Sequence, residues 1–135
     1  MSLVIALAKK KEAVIGGDRR SITFLGSWPE LEQELYSGLI SDDEALLARA
    51  KEMGATLQVA DGRDKVWRRG DILVGEVTEI TPQLERRRRI YAAPGGQLQV
   101  DISGKEARIR DQGRSGCIIY GNRFTQQIAV SIVVQ

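Results

Sequence analysis

Ser2 and Asp18 are the two residues whose types and spacing could together do chemistry in this chain. Once Met1 is removed, as we expect when a residue as small as serine follows it, Ser2 carries a free α-amine beside its own hydroxyl. An α-amine has a reference pKa of about 7.7–8.0, whereas that of lysine is about 10.4. The amine can therefore accept the hydroxyl proton near neutral pH, so that one residue supplies both nucleophile and base. A retained Met1 would place this nitrogen in an amide and remove the base.

The absence of certain residue types narrows the possible chemistry further. The 135 residues contain no histidine and a single cysteine, Cys117. Ser-His-Asp and Cys-His catalysis are therefore excluded, and so are zinc sites with the usual ligands. A general base must be a carboxylate, a lysine, a tyrosine or the amino terminus. We expect no metal and no cofactor, and one cysteine without a disulfide partner is typical of the cytoplasm.

The composition is typical of a soluble globular protein, with 42% hydrophobic and 28% charged residues. Its length predicts a single domain over residues 1–135. A net charge of +2 does not favour nucleic acid or an anionic membrane as a partner. The apolar runs are far shorter than the ~20 residues of a membrane helix, and charged residues follow the first run, SLVIALA, instead of a signal-peptide cleavage site.

Hydropathy patterns predict an α+β fold. Residues 2–8 and 13–17 are expected to form a hairpin through a polar turn, followed by a strand at 21–25. Helices capped by Ser27 and Ser41 come next. Further strands are predicted at 55–60, 72–79, 87–93, 97–103, 105–110 and 116–120. The tail, 122–135, fits a helix or a strand equally. We expect Trp28, Trp67 and Cys117 to be buried.

Asp18 follows the second strand of the predicted hairpin, which would place it beside Ser2. A carboxylate there would orient the nucleophile and its base, and Arg19 and Arg20 would keep the carboxylate ionised. Two other interpretations remain open. Gly-Gly-Asp is a common sequence in turns, so the motif could simply form a turn. Asp18 could also be a purely structural partner of Arg19 or Arg20.

The four consecutive arginines at 86–89 are the most concentrated charge in the sequence. In a strand, alternate residues face opposite sides of the sheet. Glu76, Glu79 and Glu85 are near in sequence and could pair with the arginines across a hairpin, so the pattern favours a solvated, salt-bridged face. A patch for an acidic peptide or for RNA is the alternative, although an aromatic content of 5% offers little base stacking.

The first twenty residues resemble the start of proteasome β subunits and other N-terminal nucleophile hydrolases. In those proteins a nucleophile, a strand and a polar turn precede an aspartate sixteen residues after the nucleophile, as Asp18 follows Ser2, and Arg20 matches a basic residue two places later. GRSGCIIYGNRF (113–124) resembles a Gly-Ser-Gly element near the family's active site. The resemblance implies a β-sandwich flanked by helices, in complete or minimal form. It also implies that Ser2, Asp18 and Arg20 are catalytic and that Ser115 and Gly116 bind substrate beside Ser2.

These relatives also carry a catalytic lysine sixteen residues after the aspartate, and that spacing falls on Glu34. Three interpretations remain open. Lys9, Lys10 or an arginine could replace the lysine, the α-amine could act with less help, or the site is not catalytic.

SLVIA, GGDRR, ELEQELYSG and GDILVGEV together resemble the archaeal connectase family, whose members are longer than this chain. The resemblance implies a cytoplasmic protein ligase that cleaves a Lys-Asp-Pro-Gly-Ala type motif, holds the acyl fragment and passes it to an incoming amine instead of water. The expected partner is a peptide segment of another protein, without nucleic acid or membrane. The alternatives are an inactive scaffold that binds a partner through its arginines and a small RNA-binding α+β module.

Overall fold

The computed structural model describes residues 3–80, 85–121 and 123–133. Strands predominate over helices in these ranges, and the predicted α+β class is confirmed. The strands are β1 (Val4–Ala8), β2 (Ala13–Gly17), β3 (Arg20–Leu25), β4 (Thr56–Asp61), β5 (Val66–Arg69), β6 (Ile72–Ile80), β7 (Glu85–Ala93), β8 (Gly96–Ser103), β9 (Glu106–Gly113) and β10 (Gly116–Tyr120). The helices are α1 (Pro29–Tyr36), α2 (Asp43–Met53) and α3 (Arg123–Val133).

Spatial contacts divide the chain into two compact units. The sheet unit comprises residues 3–18 and 64–120 and holds β1, β2 and β5 to β10. The helix unit comprises residues 19–63 and the chain from residue 121 onward, and it holds β3, β4 and the helices. The single domain over 1–135 stays a prediction, and so does the proteasome-like sandwich.

Two antiparallel sheets form the sheet unit. β1 is the central strand of a three-stranded sheet of order β10-β1-β2, and β5 to β9 form a five-stranded meander. Consecutive antiparallel strands need only short turns to connect them. The sheets pack against each other through β1 and β2 on one side and β6 and β7 on the other. Their shared core contains Val4, Ala6, Ile90, Ala92, Ile118 and Tyr120.

β1 is central because its sequence is apolar throughout. Val4, Ala6 and Ala8 are almost fully buried, and the residues between them are half-buried, so both faces of the strand are covered. The Lys9 N–H donates to the Glu12 carbonyl at 2.8 Å and closes the turn into β2. The predicted hairpin is confirmed.

In the helix unit, α1 and α2 pack on the two-stranded sheet of β3 and β4 around buried Leu31, Leu35, Leu46 and Ala50. Both predicted helix caps were wrong by one residue. α1 is preceded by Trp28 instead of Ser27, and no side chain caps it. α2 is capped by Asp42 instead of Ser41, because Asp42 has the extended backbone of a cap and accepts a hydrogen bond from the Ala45 N–H at 2.7 Å.

An ion pair joins the two helices of this unit. Arg49 on α2 donates to both carboxylate oxygens of Glu34 on α1, at 2.9 and 3.1 Å, and to Glu52 at 3.0 Å. The hydrogen bonds from Arg49 lower the pKa of Glu34 below its ordinary value of 4.5. Glu34 is therefore an acceptor for an arginine in the helix unit.

Several other sequence predictions differ from the structure. The strand β5 was missed because it is four residues long and half of its residues are charged. Trp67 is 38% exposed and Cys117 is exposed, whereas Trp28 packs against the core of the helix unit. Part of the ambiguous tail forms α3. None of the helices among the described residues is long and apolar enough to span a membrane.

The two sheets approach each other closely at Gly75 on β6. A Cβ atom there would lie 2.7 Å from Val4 Cγ1 and 2.8 Å from Ile15 Cδ1, whereas a Cβ at Gly16 would meet nothing within 4 Å. Replacing Gly75 by alanine should therefore overpack the core and destabilise the protein by about 1–3 kcal/mol. Urea unfolding measures the loss. Gly16→Ala is the matched control and should stay within about 0.5 kcal/mol of the wild type; equal losses for the two variants would contradict the packing described.

The Glu34–Arg49 pair predicts a specific acid sensitivity. Because the pKa of Glu34 is lower in the folded state, its stabilising contribution is present above about pH 4.5 and disappears as the pH falls through the folded pKa. The difference in unfolding free energy between wild type and Glu34→Gln should therefore shrink between pH 7 and about pH 3. Urea titrations at both values measure it, with the exposed Glu106→Gln on β9 as control. A difference that stays constant with pH would show that the ion pair does not contribute.

Candidate functional site

Ser2, the predicted nucleophile, lies outside the described residues, and Leu3 is the first residue whose surroundings the structure gives. Asp18 binds Leu3 in two ways. The Leu3 N–H donates to Asp18 Oδ1 at 2.8 Å, and the Asp18 N–H donates to the Leu3 carbonyl at 3.1 Å. These bonds extend the β1–β2 pairing by one step beyond Val4 and Gly17. The carboxylate of Asp18 is therefore held against the chain one residue after Ser2.

Lys65 is the residue at this site that the sequence analysis missed. Its Nζ donates to the same oxygen, Asp18 Oδ1, at 2.7 Å. Only 3% of the Lys65 side chain is exposed, against 34% of that of Asp18. Lys65 directly precedes β5, and its carbonyl accepts a hydrogen bond from the Glu76 N–H at 2.8 Å, which fixes it beside β6. One carboxylate oxygen thus joins a buried ammonium to the beginning of β1.

Burial makes Lys65 dependent on Asp18. Removing an ammonium from water costs several kcal/mol, and this cost is offset only by a close opposite charge with good hydrogen-bond geometry. Asp18 provides both. Because a third of the Asp18 side chain remains exposed, the pair lies at the boundary of the core, with its positive end buried and its negative end facing solvent.

The sequence did not predict the contact between Lys65 and Asp18 because the contact is not local. Asp18 and Lys65 are 47 residues apart, and β3, α1, α2 and β4 lie between them in the chain. The expected position, Glu34, is on α1 and is bound by Arg49. The proposed substitutes Lys9 and Lys10 lie in the turn after β1, at the opposite end of the strand from Leu3. A lysine directly before a short apolar pair, Val66-Trp67, was the only local signal.

Arg20 belongs to the helix unit, where two carboxylates bind it. Its guanidinium donates to Asp61 at 2.9 and 3.0 Å and to Asp43. The hydrogen bond to Asp61 is the main reason that the pKa of Arg20 is raised, and it lowers the pKa of Asp61 in turn. Arg20 therefore connects β3, the start of α2 and β4. Its catalytic role stays a prediction.

Ser115 and Gly116 were expected beside Ser2, which lies outside the described residues. β10 runs antiparallel to β1, with Gly116 opposite Ala8 and Tyr120 opposite Val4. The two ends of this five-residue strand are roughly 14 Å apart at about 3.4 Å per residue. Gly116 thus lies at the end of β1 that is far from Asp18, and Tyr120 pairs with the start of the strand. The substrate-binding role of Ser115 and Gly116 beside Ser2 stays a prediction.

The arginine run is divided between the two faces of the five-stranded sheet. On the outer face, away from β1, Arg89 donates two hydrogen bonds to Glu76 at 2.8 and 2.6 Å and lies 5.7 Å from the centre of the Trp67 ring. Arg87 is 3.7 Å from the same glutamate. The predicted pairing with Glu76 across a hairpin is confirmed. Arg86 and Arg88 share the inner face with buried Ile90.

The Lys65–Asp18 pair makes a testable prediction about stability. Asp18→Asn removes the carboxylate that binds the buried ammonium and should destabilise the protein by about 3–5 kcal/mol. The double variant Asp18→Asn/Lys65→Met should be less destabilised than Asp18→Asn alone, because the buried charge is then removed together with its carboxylate. Urea unfolding gives the three free energies.

Glu12→Gln is the control for this comparison, since it breaks an ion pair with Lys9 that is exposed and 3.9 Å long. It should change the unfolding free energy by less than about 1 kcal/mol. An Asp18→Asn variant as stable as Glu12→Gln would show that Lys65 does not depend on Asp18.

Comparison with known proteins identifies the family to which the chain belongs. No curated protein matches the chain significantly. Residues 1–135, the whole chain, match the family described as Connectase MJ0548-like, N-terminal domain. The resemblance drawn from SLVIA, GGDRR, ELEQELYSG and GDILVGEV is thereby confirmed. A match over the full length leaves no part of the sequence outside it, and the chain therefore belongs to the connectase family.

Proposed function

We propose that this protein transfers a peptide acyl group through the hydroxyl of Ser2, after removal of Met1. The observation that carries the proposal is the double hydrogen bond to Asp18 Oδ1, from the Leu3 N–H and from buried Lys65. It holds a carboxylate and an ammonium at the point of the chain that directly follows Ser2. Membership of the connectase family supports the same activity.

The first half of the reaction would form an ester. The Ser2 α-amine takes the hydroxyl proton as Ser2 Oγ attacks the carbonyl carbon of the scissile peptide bond. The resulting tetrahedral intermediate collapses with cleavage of the C–N bond, and the protonated α-amine returns its proton to the departing amine. The acyl fragment is then an ester on Ser2 Oγ, and the other fragment leaves with a free amino terminus.

The second half would reverse these steps with a new amine. The incoming amino group attacks the ester carbonyl, the Ser2 α-amine accepts its proton, and a new peptide bond forms as Oγ regains a proton. Ligation instead of hydrolysis requires that water be kept from the ester while the amine enters. For the substrate we propose a Lys-Asp-Pro-Gly-Ala type segment of another protein, as the connectase resemblance implies.

Lys65 and Asp18 have distinct roles in this scheme. The Lys65 ammonium, fixed in a largely dry position, stabilises the negative charge that develops on Ser2 Oγ as its proton leaves. Asp18 positions the Lys65 ammonium and anchors the backbone at Leu3, so that the nucleophile has a rigid support. Lys65 thus takes the role that the family pattern gives to a lysine at another spacing.

Incubation of the Met1-free protein with a Lys-Asp-Pro-Gly-Ala peptide tests this proposal. Mass spectrometry should detect a covalent ester on the protein, and Ser2→Ala should abolish it. Lys65→Met should slow ester formation by about 10²–10⁴-fold, because a positioned charge or proton-transfer group contributes that much. Lys9→Met, in the turn at the far end of β1, should react like the wild type.

One result would overturn the proposed activity: a Met1-free protein that gives no adduct and behaves like its Ser2→Ala variant, which is the result expected of an inactive scaffold. Another result would overturn only the role given to Lys65: a Lys65→Met protein that is folded, by circular dichroism, and reacts at the wild-type rate. In that case the Asp18–Lys65 pair would be structural only.

A further inference from the structure

A second charged cluster lies on the inner face of the five-stranded sheet, and the proposed chemistry does not use it. Arg88 on β7 and Asp101 on β8 are directly opposite each other. Arg110 on β9 approaches the same aspartate. Arg88 Nε is 3.8 Å and Arg110 Nη1 is 3.9 Å from Asp101 Oδ1, and both distances are too long for hydrogen bonds. Two cations thus face one anion without direct bonding.

The cluster contains polar atoms whose hydrogen-bonding capacity is unfilled. Arg88 Nε and Asp101 Oδ1 are both buried, and neither has a hydrogen-bond partner in the part of the chain that the structure describes. Their side chains still reach solvent, with 34% of Arg88, 28% of Asp101 and 45% of Arg110 exposed. Buried donors are nearly always satisfied in folded proteins. An open donor beside accessible guanidinium groups therefore indicates a site for a ligand with acceptor oxygens.

A β-bulge directs Arg110 into this cluster. Along β8 and β9, Asp111 is opposite Gln99 and Ile109 is opposite Val100, so Arg110 is the extra residue on its strand. Arg108 is the residue in register with Asp101, yet Arg110 makes the ion pair. Bulges occur frequently next to functional sites, where they redirect a side chain. The irregularity brings a second arginine to a position that regular pairing would not give it.

The cluster lies at the same end of the sheet unit as Asp18 and Lys65. The Lys65 carbonyl accepts a hydrogen bond from the N–H of Glu76 on the neighbouring strand β6, and the next residue of β6, Val77, is opposite Arg88. Lys65 and Arg88 are therefore separated by two strand spacings of about 4.8 Å, or on the order of 10 Å. An extended peptide covers this distance with about three residues.

Tyr120 lies close enough to the cluster for its charges to act on the tyrosine hydroxyl. It is opposite Val4 at the start of β1, and its hydroxyl donates to Gln99 Oε1 at 2.8 Å. Burial raises the pKa of this hydroxyl, and of the nearby charges Arg110 and Arg88 lower it while Asp101 raises it, each by less than burial does. These charges thus act within the same partly dry region as the beginning of β1.

We propose that Arg88 and Arg110 bind a carboxylate side chain of the peptide whose acyl group Ser2 transfers. This inference rests on the proposed function and assigns the recognition of the aspartate in the Lys-Asp-Pro-Gly-Ala type segment to these two arginines. A guanidinium group can donate two parallel hydrogen bonds to a carboxylate. The attraction of both arginines to Asp101 keeps their guanidinium groups side by side. A nucleic acid fits less well, because several phosphates must be contacted together and Arg87 and Arg89 are already paired with Glu76.

The test measures binding without chemistry. A fluorescent, C-terminally amidated Lys-Asp-Pro-Gly-Ala peptide and its Lys-Asn-Pro-Gly-Ala counterpart are titrated with Met1-free protein that carries Ser2→Ala, and polarisation gives the dissociation constants. The aspartate peptide should bind about tenfold more tightly, as expected for one charge-assisted contact. Arg88→Gln and Arg110→Gln should each remove this preference. Arg87→Gln, the same change one residue away on the outer face, should keep it.

The variant Asp101→Asn tests whether the arginine variants lose binding only because they are misfolded. Removing the competing carboxylate should tighten binding of the aspartate peptide by about threefold to tenfold, a gain that misfolding cannot produce. Equal affinity for the two peptides, or a preference that survives both Arg88→Gln and Arg110→Gln, would overturn the proposal. So would tighter binding of a single-stranded RNA oligonucleotide that Arg88→Gln abolishes, because the cluster would then be a nucleic-acid site.

These outcomes separate the inference from the proposed function. Suppose that the aspartate peptide binds more tightly but the Met1-free wild type forms no ester. The acyl transfer would then be refuted, whereas the binding site for the carboxylate would be supported. Ester formation at equal rates with both peptides, without any binding preference, would refute only the anion site.

Discussion

A single oxygen atom, Asp18 Oδ1, accepts hydrogen bonds from the Leu3 amide and from the buried ammonium of Lys65, and the organisation of the sheet unit depends on it. The ammonium can be buried only with a carboxylate in contact, and the carboxylate comes from the residue that ends the β1–β2 hairpin. The contact therefore fixes the ends of three chain segments together: the start of β1, the end of β2 and the entry to β5.

The packing of the two sheets makes this meeting point possible. Gly17 and Gly75 leave room where a Cβ would come within 3.2 Å of Val66 and 2.7 Å of Val4, respectively. β5 and β6 can thus approach the start of β1 closely enough for Lys65 to reach Asp18. The apolar core lies on one side of the pair, and the charged inner face with Arg88 and Asp101 lies at the same end of the sheets. A reactive group placed there would have a rigid support and a polar surface for its substrate.

The sequence was sufficient for local features and insufficient for distant ones. The continuous apolar run predicted the buried β1, the polar turn predicted its hairpin with β2, and the acidic start and Gly54 predicted α2. Asp18 was found because it is close to Ser2 through that hairpin. Lys65 was missed because four elements of the helix unit lie between it and Asp18, so counting residues led to Glu34.

The register between paired strands was the second feature that the sequence did not predict. Ser115 and Gly116 were chosen by likeness to a short Gly-Ser-Gly element, but only the pairing of β10 with β1 decides which end of the strand they occupy. The contact of Arg110 with Asp101 could not be predicted from the sequence either, because a bulge on β9 brings Arg110 to Asp101 in place of Arg108. The alternation of Arg86 to Arg89 was predictable, whereas the difference between a neutralised outer face and an open inner face was not.

A crystal structure of the Met1-free protein would test the central claim most directly, through the distance from Ser2 Oγ to Lys65 Nζ. The account predicts that Oγ lies within hydrogen-bond reach of this ammonium nitrogen, at about 2.6–3.2 Å or through one water molecule. A Ser2 side chain directed away from Lys65 and Asp18, with no route for a proton between them, would contradict it.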